Sequence, residues 1–228
     1  MSTLVIIPAY NEEESIVATI EELREQASRF DYVIVNDGSR DRTSELCHER
    51  GYEIIDLPAN LGLTGAFQTG MKYAYHHGYD HAIQFDADGQ HIPAHIEDLV
   101  RDMEQTGADV VIGSRFVTQD KPASLRMLGS NLISALIRLT TGKLIKDPTS
   151  GMRIYNRSVI ELFARRDDLT PEPDTLAFLI KRCGMSVVEH QVSMRDRLAG
   201  ESYLTLPRSI RYMAVACSSI LFSLWFRR

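Results

Sequence analysis

Asp86, Ala87 and Asp88 follow the apolar run from His81 to Phe85, which reads as a β-strand. Alternation along a strand sends both carboxylates to related sides of the turn around one small residue. A hard divalent cation takes oxygen ligands of this kind and leaves positions open for phosphate oxygens. Gln90 adds an amide oxygen two residues further on. His91 reads as a rim residue, because a Mg²⁺-type site prefers oxygen. The bland alternative is that Asp-x-Asp-Gly is turn chemistry.

Two further groups carry chemistry. Arg115 closes the segment GSR, and Arg126 and Ser130, four apart, share one face at the start of a predicted helix. A guanidinium suits a phosphate because its fork matches two oxygens at once; the alternative is a solvated helix face. If a substrate brought a hydroxyl, a general base would be needed, and Glu172 and Asp174 in PEPDTLAFLIKRCG are the candidates, with Asp174 preferred. Acids at a helix N-terminus also simply favour its dipole.

The elements that must hold these groups alternate. Thr3 to Ile7 reads as a strand buried on both faces, followed by a helix to about Ser28. Tyr32 to Asn36 is a second strand, and Asp41 is placed to cap a helix running to Arg50. Glu53 to Asp56 and His81 to Phe85 are further strands, Pro93 opens a helix through about Gln105, and Asp109 to Gly113 is the next strand. The second half predicts helices over Ser124 to Thr141 and Asp174 to Arg182, strands near Met152 to Tyr155 and Ser186 to Val192, and a last apolar helix from Pro207 to Arg228. Alternation of this kind implies an α/β fold with a mainly parallel sheet, whose ligand sites collect at the carboxyl ends of the strands. PAYNE, DGS, DADGQ and GSR all fall there.

The chain has 228 residues and a formal net charge of -6, which excludes a broad electrostatic footprint for nucleic acid. Its three cysteines form no CxxC pair, so neither a disulfide framework nor a zinc knuckle is implied. No GxGxxG follows the first strand, which argues against a dinucleotide oxidoreductase. From Arg195 onward six arginines face only Asp196 and Glu201, so the tail is basic and the body acidic. The opening MSTLVIIPAYNEE lacks the basic flank and long apolar run of a signal peptide, and a cytosolic location is expected.

Seven segments in order, VIIPAYNEEESI, VNDGSRDRT, the Asn60-Leu61-Gly62 turn, DADGQHIP, GSRF, DPTSGMR and RLAGES, resemble the GT-A-fold glycosyltransferases of family 2. Within that family the likeness is to the polyprenyl-phosphate branch. The resemblance implies a catalytic domain over residues 1–206 and a nucleotide-diphospho-sugar donor lying on Pro8, Ala9, Tyr10, Glu12, Asp37, Gly38, Ser39, Asp86, Ala87 and Asp88. Asp37 would bond the base or ribose, and Asp86, Asp88 and Gln90 would hold Mg²⁺ or Mn²⁺ on the diphosphate. Arg115, Arg126 and Ser130 would bind the phosphate of a polyprenyl phosphate acceptor. Tyr203 stands where the family often has Lys after the GES turn, which leaves the phosphate-gripping loop resting on Arg195 and Arg197.

A phosphate nucleophile is already an anion and needs no base, so the expected reaction is inverting transfer to polyprenyl phosphate. The alternatives are transfer to a hydroxyl of a lipid-linked glycan, where Asp174 would serve as base, and an inactive sugar-nucleotide-binding homologue. The tail, 207–228, contains 15 uncharged residues from Tyr212 to Phe226, fewer than the ~20 needed to span a bilayer. Basic ends and Trp225 suit a helix lying at the cytosolic membrane surface. A buried or homo-oligomer-forming helix is the competing reading.

Overall fold

The run TLVIIPA has no polar alternation, and it forms β1 (Thr3–Ala9), buried on both faces inside a seven-stranded sheet. The computed structural model describes residues 1–196 and 206–226, with the side chains at 125, 126, 206–210 and 223–226 outside the description. After β1 come α1 (Ile16–Gln26), β2 (Asp31–Asn36), α2 (Thr43–Glu49), β3 (Ile54–Asp56), α3 (Gly62–His76), β4 (His81–Gln84) and α4 (His95–Thr106). The second half adds β5 (Val110–Ser114), α5 (Leu125–Thr141), β6 (Arg153–Asn156), α6 (Arg157–Arg165), α7 (Pro173–Lys181), β7 (Val187–Gln191) and α8 (Leu206–Phe226).

The sheet order is β3-β2-β1-β4-β6-β5-β7. All pairings are parallel except those of β6, which runs antiparallel to both β4 and β5. The reason lies in the chain path. The segment after α5 returns at the carboxyl end of β5, where the Gly113 N–H donates to the Met152 carbonyl at 2.8 Å, so β6 begins at that end and must run backwards.

Period-two alternation divides the core into two layers. Leu4, Ile6, Val33, Val35, Ala82, Val110 and Ile112 face α3, α5, α6, α7 and α8. Val5, Ile7, Ile34, Ile83, Phe85 and Val111 face α1, α2 and α4. Each such Val, Leu, Ile or Phe contributes about 1.5–3 kcal/mol on full burial, so the strand interiors are firmly fixed and their carboxyl ends are rigid platforms.

Helix ends differ from expectation by a residue or two for local reasons. The helix after β1 stops at Gln26, where the Ala27 N–H closes on the Leu23 carbonyl. Asp41 lies one position before the cap residue Arg42, yet its Oδ1 still accepts from the Thr43 N–H at 3.0 Å and the Thr43 hydroxyl at 2.6 Å. Pro93 precedes α4 rather than opening it, and its carbonyl accepts from the Ile96 N–H.

The last helix packs on α5 and α7 and delivers Ala216 and Ile220 to the core. Its Val215, Leu221 and Phe222 stay exposed. On α5, Leu128, Leu132 and Leu139 are likewise exposed, at spacings of one and two helical turns. Among the described residues no helix is long and apolar enough to cross a membrane.

Candidate active site

Parallel pairing of β1 with β2 and β4 sets three strand ends side by side, and the residues beyond them converge. The Asp37 N–H donates to the Ala9 carbonyl at 2.8 Å, and the Phe85 N–H to that of Ile6 at 2.9 Å. Between these ends lies a pocket of about 240 Å³ lined by Pro8, Ala9, Tyr10, Glu12, Asp37, Asp86, Ala87 and Asp88, with Leu63 and Ala66 contributed by α3. Gly38 and Ser39 do not line it; they shape its wall. Gly38 has φ +67°, and a Cβ there would stand 2.8 Å from the Ala59 carbonyl carbon. The Ser39 hydroxyl accepts from the Asn11 N–H at 2.9 Å, holding the turn after β1, where Asn11 itself adopts φ 54°.

Asp37 is buried at 3% exposure. Its Oδ1 accepts from the Leu61 N–H at 2.7 Å, and among the described residues no hydrogen bond engages Oδ2. One oxygen therefore fixes the side chain to the Asn60-Leu61-Gly62 turn and the other is available to a ligand.

The two carboxylates of DADGQ stand differently. Asp88 is buried and its Oδ1 accepts from the Gln90 N–H at 3.0 Å. The Asp86 side chain is 36% exposed; its Oδ1 accepts from Gln84 Nε2 at 3.2 Å, and Oδ2 lies 3.5 Å from His91 Nε2. A Cβ at Gly151 would lie 2.7 Å from Asp86 Oδ2, so the glycine of DPTSGMR leaves room for this carboxylate. Ala87, at the centre of the turn, offers its carbonyl to the Thr19 hydroxyl of α1 at 3.0 Å. Two carboxylates on one pocket wall, both held by donors, are a donor set that fits a hard divalent cation. Among the described residues no three His, Cys, Asp or Glu side chains are grouped so as to hold a metal ion by themselves, which leaves amide, water or substrate oxygens to complete such a site.

His91 is not at the rim. It is buried at 3% exposure, edge-on to the Phe85 ring, and supports Asp86 from beneath. Gln90 does not line the pocket. Its Nε2 donates to the Arg195 carbonyl at 3.3 Å and its own carbonyl accepts from the Arg195 N–H at 3.0 Å. Arg195 in turn forks onto Glu22 through two bonds of 2.8 Å, so its side chain ties the DADGQ turn to α1.

Arg115 likewise has a partner. Its Nε and Nη2 bind Asp147 at 2.7 and 2.8 Å, with Asp147 fully buried. Arg126 is in the first turn of α5, but its side chain, and Arg197 altogether, lie outside the described residues. Ser130 is buried on α5 and accepts a hydrogen bond from Lys121. Asp174 is buried in the first turn of α7, where its Oδ1 accepts from the Thr170 hydroxyl at 3.3 Å, and it is not part of the pocket lining. Glu172 accepts from the Tyr212 hydroxyl at 2.5 Å; burial and the adjacent carboxylate push that phenol far above its ordinary pKa.

Three residues escaped the sequence reading. Asp147, Gly151 and Arg153 all belong to the DPTSGMR segment, which signals itself as a motif without revealing what each member touches. Arg153 is 2% exposed and donates to the carbonyls of Pro171 and Pro148 at 2.9 and 2.6 Å, clamping the loops before α7 and β6 together. A buried arginine in a strand was the available signal, since burial obliges it to find acceptors.

Carboxylates and a tight turn at the carboxyl ends of parallel strands, covered by the N-terminal end of α3, define an α/β protein of GT-A type. The chain matches glycosyl transferase family 2 over residues 4–163, and it belongs to that family. It is 32% identical over 217 residues to an undecaprenyl-phosphate mannosyltransferase of Micrococcus luteus, covering 90% of this chain and 88% of that protein. An uncharacterized protein of Methanocaldococcus jannaschii, MJ1222, is 34% identical over 155 residues, 67% of this chain and 63% of its own length. Among solved structures, glucosyl-3-phosphoglycerate synthase of Mycobacterium tuberculosis in complex with Mn²⁺, UDP and phosphoglyceric acid superposes with a TM-score of 0.69 at 15% identity, over 99% of this chain and 78% of that one. That likeness shows the shared fold.

Proposed function

We propose that this chain transfers a sugar from a nucleotide diphosphate to the phosphate of a polyprenyl phosphate, with inversion at the sugar carbon. The observation that carries the reading is the single pocket joining Asp37 to the Asp86 and Asp88 pair, in a chain similar along nearly its whole length to an undecaprenyl-phosphate mannosyltransferase. Pro8, Ala9, Tyr10 and Glu12 form one wall for the nucleoside, and Asp37 Oδ2 accepts from its base or ribose. Gly38 and Ser39 hold that wall in shape.

Asp86 and Asp88 are the residues that would hold Mg²⁺ or Mn²⁺, and the Gln90 amide oxygen would join them only by turning from the Arg195 carbonyl toward the pocket; the fold neighbour that carries UDP also carries Mn²⁺. An ion held by these residues would supply positive charge to offset that developing on a nucleoside diphosphate leaving group. Arg126 and Ser130 on α5 are assigned to the acceptor side. Arg115, Arg195 and Arg197 support it, the first two through the ion pairs that fix their loops. The acceptor phosphate carries no proton to remove, so Asp174 is needed only if the acceptor is a hydroxyl.

A lipid acceptor places the enzyme at the cytosolic membrane surface. The exposed stripe Leu128, Leu132 and Leu139 on α5, beside Val215 and Phe222 on α8, supports a peripheral contact there. The test is a screen of nucleotide sugars against undecaprenyl phosphate and a lipid-linked glycan in parallel. Transfer to the phosphate is expected. Transfer only to the glycan hydroxyl overturns the reading in favour of a base mechanism, and no turnover of any nucleotide sugar with either metal marks an inactive binding homologue.

A further inference from the structure

A second cavity, of about 350 Å³, opens beside the amino-terminal half of α5 and shares no lining residue with the donor pocket. Phe116, Gln119, Asp120, Lys121, Asn131 and Lys146 are among its walls, so two ammonium groups face one carboxylate. The loop that carries Phe116 to Lys121 is pinned to β7: Gln191 accepts from the Thr118 N–H at 2.8 Å and donates to the Arg115 carbonyl at 3.0 Å. Lys146 Nζ donates to the Val117 carbonyl at 2.7 Å.

Lys121 differs from the other cations here. Its Nζ donates to Ser130 Oγ at 2.8 Å and lies 5.5 Å from the centre of the Phe116 ring. Among the described residues no carboxylate stands within 4.0 Å of it. The two nearby acids are already used: Asp147 is gripped by Arg115, and Glu189 accepts from the backbone N–H groups of Lys146 and Asp147. An ammonium with three donors and one hydroxyl partner keeps two N–H bonds to give.

We propose that Lys121, positioned by Ser130, is the direct cationic contact for a phosphomonoester in this cavity, and that Ser130 acts on the ligand through Lys121. The inference rests on the polyprenyl-phosphate reading and assigns within it a residue that the sequence motifs do not. Arg115 is not a freely moving phosphate clamp, because its Nε–Nη2 edge is bound to the Asp147 carboxylate, which fixes the guanidinium and offsets its charge. Lys121 supplies the charge that Arg115 does not, and the apolar face of Phe116 keeps water from one side of it. Burial draws the Lys121 ammonium below the ordinary lysine pKa, which is the state of a cation whose desolvation is not fully offset by acids and which an incoming anion would offset.

Calorimetry with farnesyl phosphate, inorganic phosphate and farnesol, combined with acceptor and donor KM values, tests this. In Lys121→Met, which keeps the aliphatic stem, the Kd for farnesyl phosphate is expected to rise at least about tenfold, the loss of one charge-assisted bond. The acceptor KM should rise with it and the donor KM should not, and Lys121→Arg should recover part of the loss. Ser130→Ala should weaken binding in the wild-type background and add little in Lys121→Met, the mark of a residue that acts through another. Unchanged farnesyl phosphate binding in a folded Lys121→Met, a loss that falls on the donor KM, or full additivity with Ser130→Ala overturns the assignment. Lys121-dependent binding of inorganic phosphate alone, with no binding of farnesyl phosphate, keeps the anion site and overturns the lipid-acceptor reading instead.

Discussion

The Asp86 main-chain N–H donates to Nδ1 of His91 at 2.9 Å, and this bond decides which nitrogen of the ring carries the proton. An acceptor at Nδ1 leaves the hydrogen on Nε2, the atom 3.5 Å from Asp86 Oδ2, so one imidazole binds the backbone and faces the carboxylate of the same residue. His91→Phe orphans a half-buried N–H and is expected to cost about 1 kcal/mol of stability. His91→Asn replaces the Nδ1 acceptor with an amide oxygen and should regain most of that in a urea titration. It does not restore the Nε2 donor, and transfer should remain about 10–100-fold down, as when the support of a metal ligand is removed. Full activity in His91→Phe would show that Asp86 needs no such support.

Asp88→Asn should lower transfer by more than about 100-fold while the melting temperature stays near that of the wild type. The residue is buried against the Gln90 N–H, which an amide oxygen can still accept. Titration of Mn²⁺ into both proteins checks the cause: the mutant should lose affinity, and chelator should abolish wild-type transfer. Full activity in excess chelator sinks the metal assignment.

Arg115→Ala leaves the fully buried Asp147 carboxylate without its guanidinium and should destabilise the fold by about 3–5 kcal/mol. Replacing both residues, as in Arg115→Met with Asp147→Leu, should be less damaging than the single change. Equilibrium unfolding of the three variants measures this. A mild single-mutant effect would mean that Arg115 is held for its ligand chemistry and not for the loop.

Acid should weaken the fold in a defined window. Burial lowers the pKa of His81, at the start of β4 and 3.4 Å from the Thr3 hydroxyl, and burial lowers that of His95. The unfolded chain therefore binds more protons than the folded one around and below the ordinary histidine pKa of about 6.5, so stability rises with pH there and is lost as pH falls through it. Melting temperature should drop between about pH 7 and pH 5. His81→Gln should flatten that slope, and an unchanged slope would assign the effect elsewhere. Asp56 and Asp109, held below the usual carboxylate value by hydrogen bonds that outweigh their burial, act in the same direction but at lower pH.

Leu132→Glu with Leu139→Glu should reduce sedimentation with anionic vesicles severalfold and leave the unfolding free energy within about 1 kcal/mol of the wild type, since both side chains are exposed. If the pair instead changes oligomeric state without altering vesicle binding, the stripe joins two copies of the chain.

Much of the site was legible because its residues sit next to strand ends. Strand burial fixes where a run such as TLVIIPA stops, and so the segments that carry Tyr10, Asp37 and Asp88 are expected together at the carboxyl edge of the sheet, where the pocket lies. Leu63 and Ala66 could not, because α3 reaches the pocket through tertiary packing that no local pattern encodes. The roles of arginines were the least legible: a guanidinium beside a motif looks the same whether it waits for a phosphate or, like Arg115 and Arg195, is already bound to Asp147 or Glu22. Long-range ion pairs have no sequence spacing to announce them. The direction of β6 was hidden for the same reason, since strand composition says nothing of the end at which the chain re-enters.

That reversed strand divides the molecule's labour. Donor-pocket residues come from the β3-β2-β1-β4 side, whereas the Lys121 cavity hangs on β5 and β7, and only β6 lies between the two parallel blocks. A lengthened or exchanged loop after β5 would change which acceptor is received without disturbing how the nucleotide is read. Arg153, standing on the seam, would be the residue least free to vary in such grafts, because its two carbonyl partners keep the flanking loops in fixed relation whichever acceptor loop is installed.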